Sequence, residues 1–379
     1  MTDAGEAVGL YVHWPYCARI CPYCDFNVVR DRGWREEQAV LVEAILCDLE
    51  AQATLLGSRP LASIFFGGGT PSLMRPEDVA RVIERARTLF PAGDVEITLE
   101  ANPTDAEAAH FGALKEAGIN RLSLGVQSLD DAQLTFLGRN HSADEARRAI
   151  AVAAGVFDRL SIDLIYALPG QTVAGWTAAM TEALAMGFEH ISPYQLTIAE
   201  GTAFERAMER GALVPPDEDT AADLYEATQS LLGAAGFEAY EVSNHAWGVG
   251  ARSAHNLHVW RGGDYLGVGP GAHGRLTLDG LRTATVAHRR IADYVESVAA
   301  GTPWSEQETL DPRAAAEERL LLGLRTIEGV ALTDLVALDL TGRVEGLVED
   351  GFLAVADGRV AATAAGRPVL DAVLKALLT

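Results

Sequence analysis

A chain of 379 residues with 49% hydrophobic content can bury a sizeable core and fold as one large domain with a smaller one. Its 53 acidic against 30 basic residues give a net charge of −23, which repels phosphate backbones and anionic membrane surfaces and makes nucleic acid a poor partner. No apolar run reaches the roughly 18 residues of a membrane span, the start MTDAGEAVGL lacks the blocks of a signal peptide, and four cysteines cannot staple so long a chain, so a cytoplasmic, reduced protein is expected.

The chain opens with GLYVHW, the first of six apolar or β-branched runs. ASIFF, VEITLE, RLSLGVQ, RLSIDLIY and HISPYQLTI follow, each parted from the next by an amphipathic stretch. Helices are expected from Trp34 onward and over PEDVARVIERARTLF, TDAEAAHFGALKEAG, SADEARRAIAVAAG and TVAGWTAAMTEALAMG. Capping boxes are expected at Thr104 with Glu107 and at Ser142 with Glu145. In the first helix Cys47 reads as a buried structural thiol. Strand ends recur about every 30 residues, the length of a βαβ repeat with short loops.

Six such units predict an α/β fold with a parallel sheet under helices. Five strands finish on a polar or glycine position: Gly67, Glu100, Gln127, Asp163 and Gln195. In a sheet curved into a partial barrel these ends converge on one mouth, where barrel enzymes carry their chemistry. Past Glu200 the pattern loosens through a helical region, EAYEVSNHAW and the Gly-rich WRGGDYLGVGPGAHG. From Pro312, helices followed by a hairpin turning at Asp357-Gly358 predict a small winged-helix-like α+β domain. That tail has ten acidic against seven basic residues, which favours packing or substrate covering over DNA binding. The predicted divisions are 1–240 for the βα units, 241–305 for a connecting segment with HNLHVW and the Gly-rich loop, and 306–379 for the C-terminal domain.

Three of the cysteines, Cys17, Cys21 and Cys24, form C-x3-C-x2-C directly after the first strand, in a loop stiffened by Pro15 and Pro22. Thiolates suit zinc or iron–sulfur. A closed zinc site needs a fourth ligand, for which His13 is the nearby option. A [4Fe–4S] cluster on three thiolates instead keeps one iron open for a substrate or cofactor. GGGTPS, after the second strand, lacks the lysine of a P-loop, and its glycines let backbone approach a ligand closely.

C-x3-C-x2-C with an aromatic, Tyr23, before the last cysteine resembles the signature of the radical S-adenosylmethionine (radical SAM) family. The resemblance implies a full or partial barrel of six βα units and a [4Fe–4S] cluster on Cys17, Cys21 and Cys24. It also implies S-adenosylmethionine chelated to the open iron through its amino and carboxylate groups. The implied cofactor contacts are Gly68, Gly69 and Thr70 of GGGTPS, Glu100 of LEANP, Gln127, Arg139 of LGRNH, Asp163 of SIDLIYALPG, and Tyr11 with Tyr23.

Together with GVQS and HNLHVWRGGDYLGVGPGAHG, these stretches resemble the coproporphyrinogen-oxidase-like subgroup over almost the whole chain. That subgroup holds the oxygen-independent coproporphyrinogen III dehydrogenase, which decarboxylates two propionates, and heme chaperones of the HemW type, which bind heme and hand it to target proteins. The dehydrogenase signature continues to a further cysteine where this chain reads Cys24-Asp25-Phe26-Asn27, and its arm before the cluster is longer than the 16 residues here. Both differences favour the chaperone class. Its HNxxYW appears here as HNLHVW, with Val259 in place of the tyrosine. Imidazole is a sound axial ligand for heme iron, so His255 is the candidate, with His258 as substitute, and Arg252 and Arg261 are candidates for the propionates. A His-Asn pair can equally hold a loop by hydrogen bonds. The implied partners are heme and heme-receiving proteins, with membrane respiratory proteins and a second copy of the chain as candidates.

Overall fold

The computed structural model describes residues 6–379; residues 1–5, part of the start read as lacking a signal peptide, lie outside them. Period-two alternation builds the six expected strands: β1 (Val8–Trp14), β2 (Leu61–Gly68), β3 (Glu96–Ala101), β4 (Arg121–Gln127), β5 (Leu160–Tyr166) and β6 (His190–Gln195). They lie side by side in chain order, every pair parallel. Residues such as Leu10, Val12, Ile64, Phe66, Ile97, Leu99, Leu122 and Ile162 are fully buried against the helices that connect the strands. Each such burial is worth about 1.5–3 kcal/mol. The alternate residues are largely polar: His13, Ser63, Glu96, Thr98, Glu100, Arg121, Ser123, Ser161, Asp163, His190 and Ser192. Parallel strands with one greasy face and one polar, buried face require an enclosed interior, which is what the curved sheet makes.

The segment 241–305, expected as a connector, supplies strands to the same sheet. β7 (Asp264–Val268) pairs in parallel with β1 on the side away from β2. β8 (His273–Leu278), β9 (Leu281–Ala287) and β10 (Trp304–Thr309) continue it antiparallel. The Gly-rich passage is therefore half strand and half turn. Gly269 and Gly271 adopt φ of 104° and 79°, and a Cβ on Gly269 would stand 2.2 Å from the carbonyl oxygen of His13. At the other edge two-residue antiparallel strands, Glu238–Ala239 and His245–Ala246, follow β6. Among the described residues the sheet has two free edges and forms a partial barrel, not a closed one.

The C-terminal region has its own apolar core, with Leu320, Leu335, Val344, Leu353, Val360, Val373 and Leu377 at its centre. Helices Pro312–Gly323, Leu332–Ala337 and Thr341–Glu349 precede the hairpin Leu353–Ala356 with Arg359–Ala362, and Val330–Ala331 adds a third strand. Asp357 and Gly358 take φ of 50° and 74°, the left-handed pair that a two-residue hairpin turn needs.

Two local expectations need correction. Cys47 is exposed: in helix Arg35–Leu56 it lies one turn from Glu43 and from Ala51 on the outer stripe, whereas Asp48 and Gln52 are buried. Ser142 and Glu145 form the full capping box, but Thr104 caps alone. The Glu107 carboxylate instead accepts bonds from the Asn102 N–H and the Ser72 hydroxyl, tying two loops of the mouth together.

Candidate functional site

The thiol loop is held by its own ends. After β1, Tyr16–Cys17 pairs in parallel with Val29–Arg30, and the Asp31 N–H donates to the Cys17 carbonyl at 2.8 Å. The loop then rests on the barrel: the Phe204 N–H donates to the Pro22 carbonyl at 3.0 Å, and Pro22 packs on Gly138, where a Cβ would come within 2.6 Å. The glycine run after β2 fits beneath it. Gly69 and Thr70 donate to the carbonyls of Trp14 and Tyr16 at 2.7 and 2.8 Å, and a Cβ on Gly69 would meet the carbonyl oxygens of Pro15 and Tyr16 at 2.7–2.8 Å.

These elements enclose a cavity of about 400 Å³ at the C-terminal ends of the strands. Cys17, Cys21, Cys24, Tyr23, Gly68, Gly69, Thr70, Glu100, Gln127, Arg139 and Asp163 all line it. Eleven residues chosen from sequence thus meet at one place. Asn102, Ser123 and Tyr194 line it too and were missed; the alternation along β4 and β6 was the signal that could have found the last two. Arg139 is the hub: its Nη2 donates to Gly125 O at 2.9 Å and to the Asn102 side chain, and its Nη1 lies 3.5 Å from both Cys21 Sγ and the Tyr23 hydroxyl. Its buried Nε has no partner among the described residues. Gln127 sits at φ 67°, a left-handed backbone rare outside glycine and at home where a chain is bent to aim a side chain.

Burial holds the cavity's carboxyls and thiols away from their charged forms. Burial, then the facing Asp163 charge, push the Glu100 carboxyl up to about 8, against a single Gly68 N–H that donates to it at 3.2 Å. Burial lifts Asp163 to about 6, opposed by the Ser192 hydroxyl, the Arg121 charge, the Ser123 hydroxyl and the Arg139 charge. Burial likewise pushes the Cys17 thiol up to about 11, with the Thr70 hydroxyl opposing. Three soft thiols around a mouth, two destabilised carboxyls behind them and a guanidinium with an idle N–H fit an iron–sulfur cluster together with a cationic ligand. The zinc alternative does not fit: His13, its fourth ligand, has Nδ1 3.0 Å from the Tyr11 hydroxyl and Nε2 2.8 Å from Asn27 O, and it faces another cavity.

That other cavity, of about 740 Å³, takes Tyr11 and His255. Tyr11 is thus apart from the other implied cofactor contacts. Phe65, Trp260, Tyr265 and Val259 line the same space, and Asp25 and Phe26 of the thiol loop line both cavities. His255 stacks on Phe65 with ring centroids 4.9 Å apart, and its Nδ1 is 2.8 Å from Ser63 Oγ. Burial lowers this imidazole to about 4, so the ring is neutral. The other heme candidates are engaged elsewhere. His258 Nε2 is 2.7 Å from Asp264 O, Arg252 pairs with Glu238 at 2.6 Å, and Arg261 pairs with Glu328 at 2.5 Å. None of the three lines the cavity.

A curved β/α sheet with a thiol trio at its mouth is what the radical SAM resemblance implies, and the comparisons show that family. The radical SAM superfamily profile matches residues 11–182, and the HemN C-terminal domain profile matches residues 310–369. The chain belongs to the radical SAM superfamily, in the subgroup that carries this C-terminal domain. It is 40% identical to the bovine "Radical S-adenosyl methionine domain-containing protein 1, mitochondrial", over 99% of this chain and 88% of that protein. It is 36% identical to "Heme chaperone HemW" of Mycobacterium tuberculosis, over 99% of this chain and 95% of the relative. To the protein of the same name in Escherichia coli it is 40% identical over 75% of each chain. Among solved structures, coproporphyrinogen III oxidase (HemN) of Escherichia coli superposes with a TM-score of 0.80 at 20% identity, covering 98% of this chain and 90% of that one, which shows the shared fold. Among the described residues no helix is long and apolar enough to cross a membrane.

Proposed function

We propose that this protein is a cytoplasmic heme chaperone of the HemW type, which binds heme and passes it to recipient proteins while carrying a [4Fe–4S] cluster and S-adenosylmethionine. Cys17, Cys21 and Cys24 would hold the cluster, and the first cavity would hold S-adenosylmethionine. When bound, the pair supplies one-electron reductive cleavage of a sulfonium C–S bond, the chemistry for which the family is named. Glu100 and Asp163 offer carboxylate charge to the cationic part of that ligand, whose charge in turn draws both back to the ionised form. Gly68 and Gly69 let backbone approach it, and Arg139 sets a positive charge against Cys21.

The observation that carries the heme reading is the second cavity, with its aromatic walls and the Nε2 of a neutral His255 making no hydrogen bond among the described residues. A neutral imidazole nitrogen of this kind is what heme iron accepts. Asp25-Phe26-Asn27 in place of a further cysteine, and the relatives named heme chaperones, support this over decarboxylation. Heme titration of wild type and His255→Ala, followed by absorbance, tests the proposal: one heme per chain is expected, with the axial-ligand signature lost in the variant. Anaerobic incubation with coproporphyrinogen III, reductant and S-adenosylmethionine is expected to give no protoporphyrinogen. Product at enzymatic rates would establish the dehydrogenase instead.

A further inference from the structure

We infer that Ser63 and Glu96 are positioning residues for His255: together they fix where its ring stands and which nitrogen faces the second cavity. This rests on the reading of His255 as the heme-iron ligand. His255 lies in a seven-residue helix, Ala254–Trp260, too short to hold a geometry alone. The barrel floor holds it instead. Glu96, buried at the start of β3, accepts the backbone N–H of both Ala254 and His255 at 3.1 Å. Its charge is matched by the buried Arg121 at 4.0 Å and by Arg159 at 2.8 Å, whose Nη2 donates to the carbonyls of Gly250 and Arg252 at 3.0 Å each. The Glu96–Arg159 pair thus brackets the backbone from 250 to 255. The Ser253 N–H adds a bond to the Tyr240 hydroxyl at 3.2 Å.

The ring is set by Ser63 on β2. Its Oγ, 2.8 Å from Nδ1, makes no other hydrogen bond among the described residues. Nδ1 is taken up by Ser63; in the arrangement inferred its N–H donates to the serine oxygen, which leaves the lone pair of His255 on Nε2, the ring nitrogen with no hydrogen bond among the described residues, in a side chain that lines the cavity. A ligating imidazole tuned by a bond at its other nitrogen is a general device, and removing such a partner costs about 10- to 100-fold in affinity.

Nitrogen-15 NMR of histidine-labelled, heme-free protein reads the tautomer directly, and heme titration reads its consequence. The Nδ1–H form should dominate in wild type, Ser63→Ala should mix the two forms and weaken heme binding by about 10- to 100-fold, and Ser63→Thr should restore both. Glu96→Gln, which keeps the shape but loses the charge, should weaken heme binding with the tautomer unchanged. Ser63→Ala and Glu96→Gln proteins that match wild type in tautomer and heme affinity would overturn the inference. A His255→Ala protein that binds heme with an unaltered spectrum would instead overturn the ligand reading, while the tautomer data still judge Ser63.

Discussion

Replacing Glu100 by Gln should make the protein more stable at alkaline pH while weakening its hold on S-adenosylmethionine. In the unfolded chain a glutamate titrates near 4.5; in the fold, burial and the facing Asp163 charge raise it to about 8. Below pH 4.5 the group is protonated in both states and costs nothing. As pH rises toward 8 the unfolded chain releases a proton that the fold retains, so stability falls and levels off above about 8. At about 1.4 kcal/mol per tenfold change in proton affinity, the ceiling on that loss is ~5 kcal/mol. Glu100 is only partly enclosed and shares its repulsion with Asp163, so about half of that, ~2 kcal/mol, is the expected effect. A cluster on three thiolates carries net negative charge and acts in the same direction. Urea unfolding of cluster-loaded, S-adenosylmethionine-free protein at pH 5.5 and 8.5 measures it. Wild type should lose ~2 kcal/mol between the two conditions through this group, and Glu100→Gln should keep most of it. The cationic ligand should reverse the trend, binding wild type more tightly as pH rises from 6 to 8 and the variant with a flatter profile. Equal pH dependence of stability in the two proteins would refute the placing of an anion-rich, cation-seeking interior behind the thiols.

Three further outcomes follow from the same geometry. Arg139→Leu removes the bonds to Gly125 and Asn102, each worth about 1.5–3 kcal/mol when the donor is charged; urea unfolding should show a loss of that order, and equilibrium dialysis should show weaker S-adenosylmethionine binding. Gly68→Ala forces a Cβ to within 2.5 Å of the His13 ring at φ 105°, so destabilisation of about 1–3 kcal/mol is expected in the same assay. Cys17→Ala should lower iron and sulfide content of anaerobically purified protein to near background while circular dichroism stays native, because the loop is closed by backbone pairing at Tyr16–Cys17 and not by the thiol.

The parts of the molecule legible from sequence are those set by local periodicity. Six strands, the capped helix at Ser142 and the Asp357-Gly358 turn each follow from spacing and turn chemistry over a few residues, and the polar strand ends had to converge once the sheet curved. What stayed hidden depends on partners distant in the chain. Arg252, Arg261 and His258 look free in sequence, but Glu238, Glu328 and the Asp264 carbonyl claim them. Nothing in the sequence marks Glu96 and Arg159, which the fold brings to the backbone around His255. Asn27 makes the same point most fully. Nothing in CPYCDFN marks it, yet its amide donates to Pro270 O and Arg289 O, its carbonyl meets His13 Nε2, and Gly271 must lack a Cβ to admit it. Through Asn27 the thiol loop is fastened to the Gly-rich turn, and the two residues before it form the wall shared by both cavities. Cys24 itself lies one residue from the partition of the aromatic cavity, so a cluster held there would adjoin that wall. Asp25 and Phe26, two side chains on one backbone segment, are thus the shared wall between the thiol-lined cavity and the aromatic one.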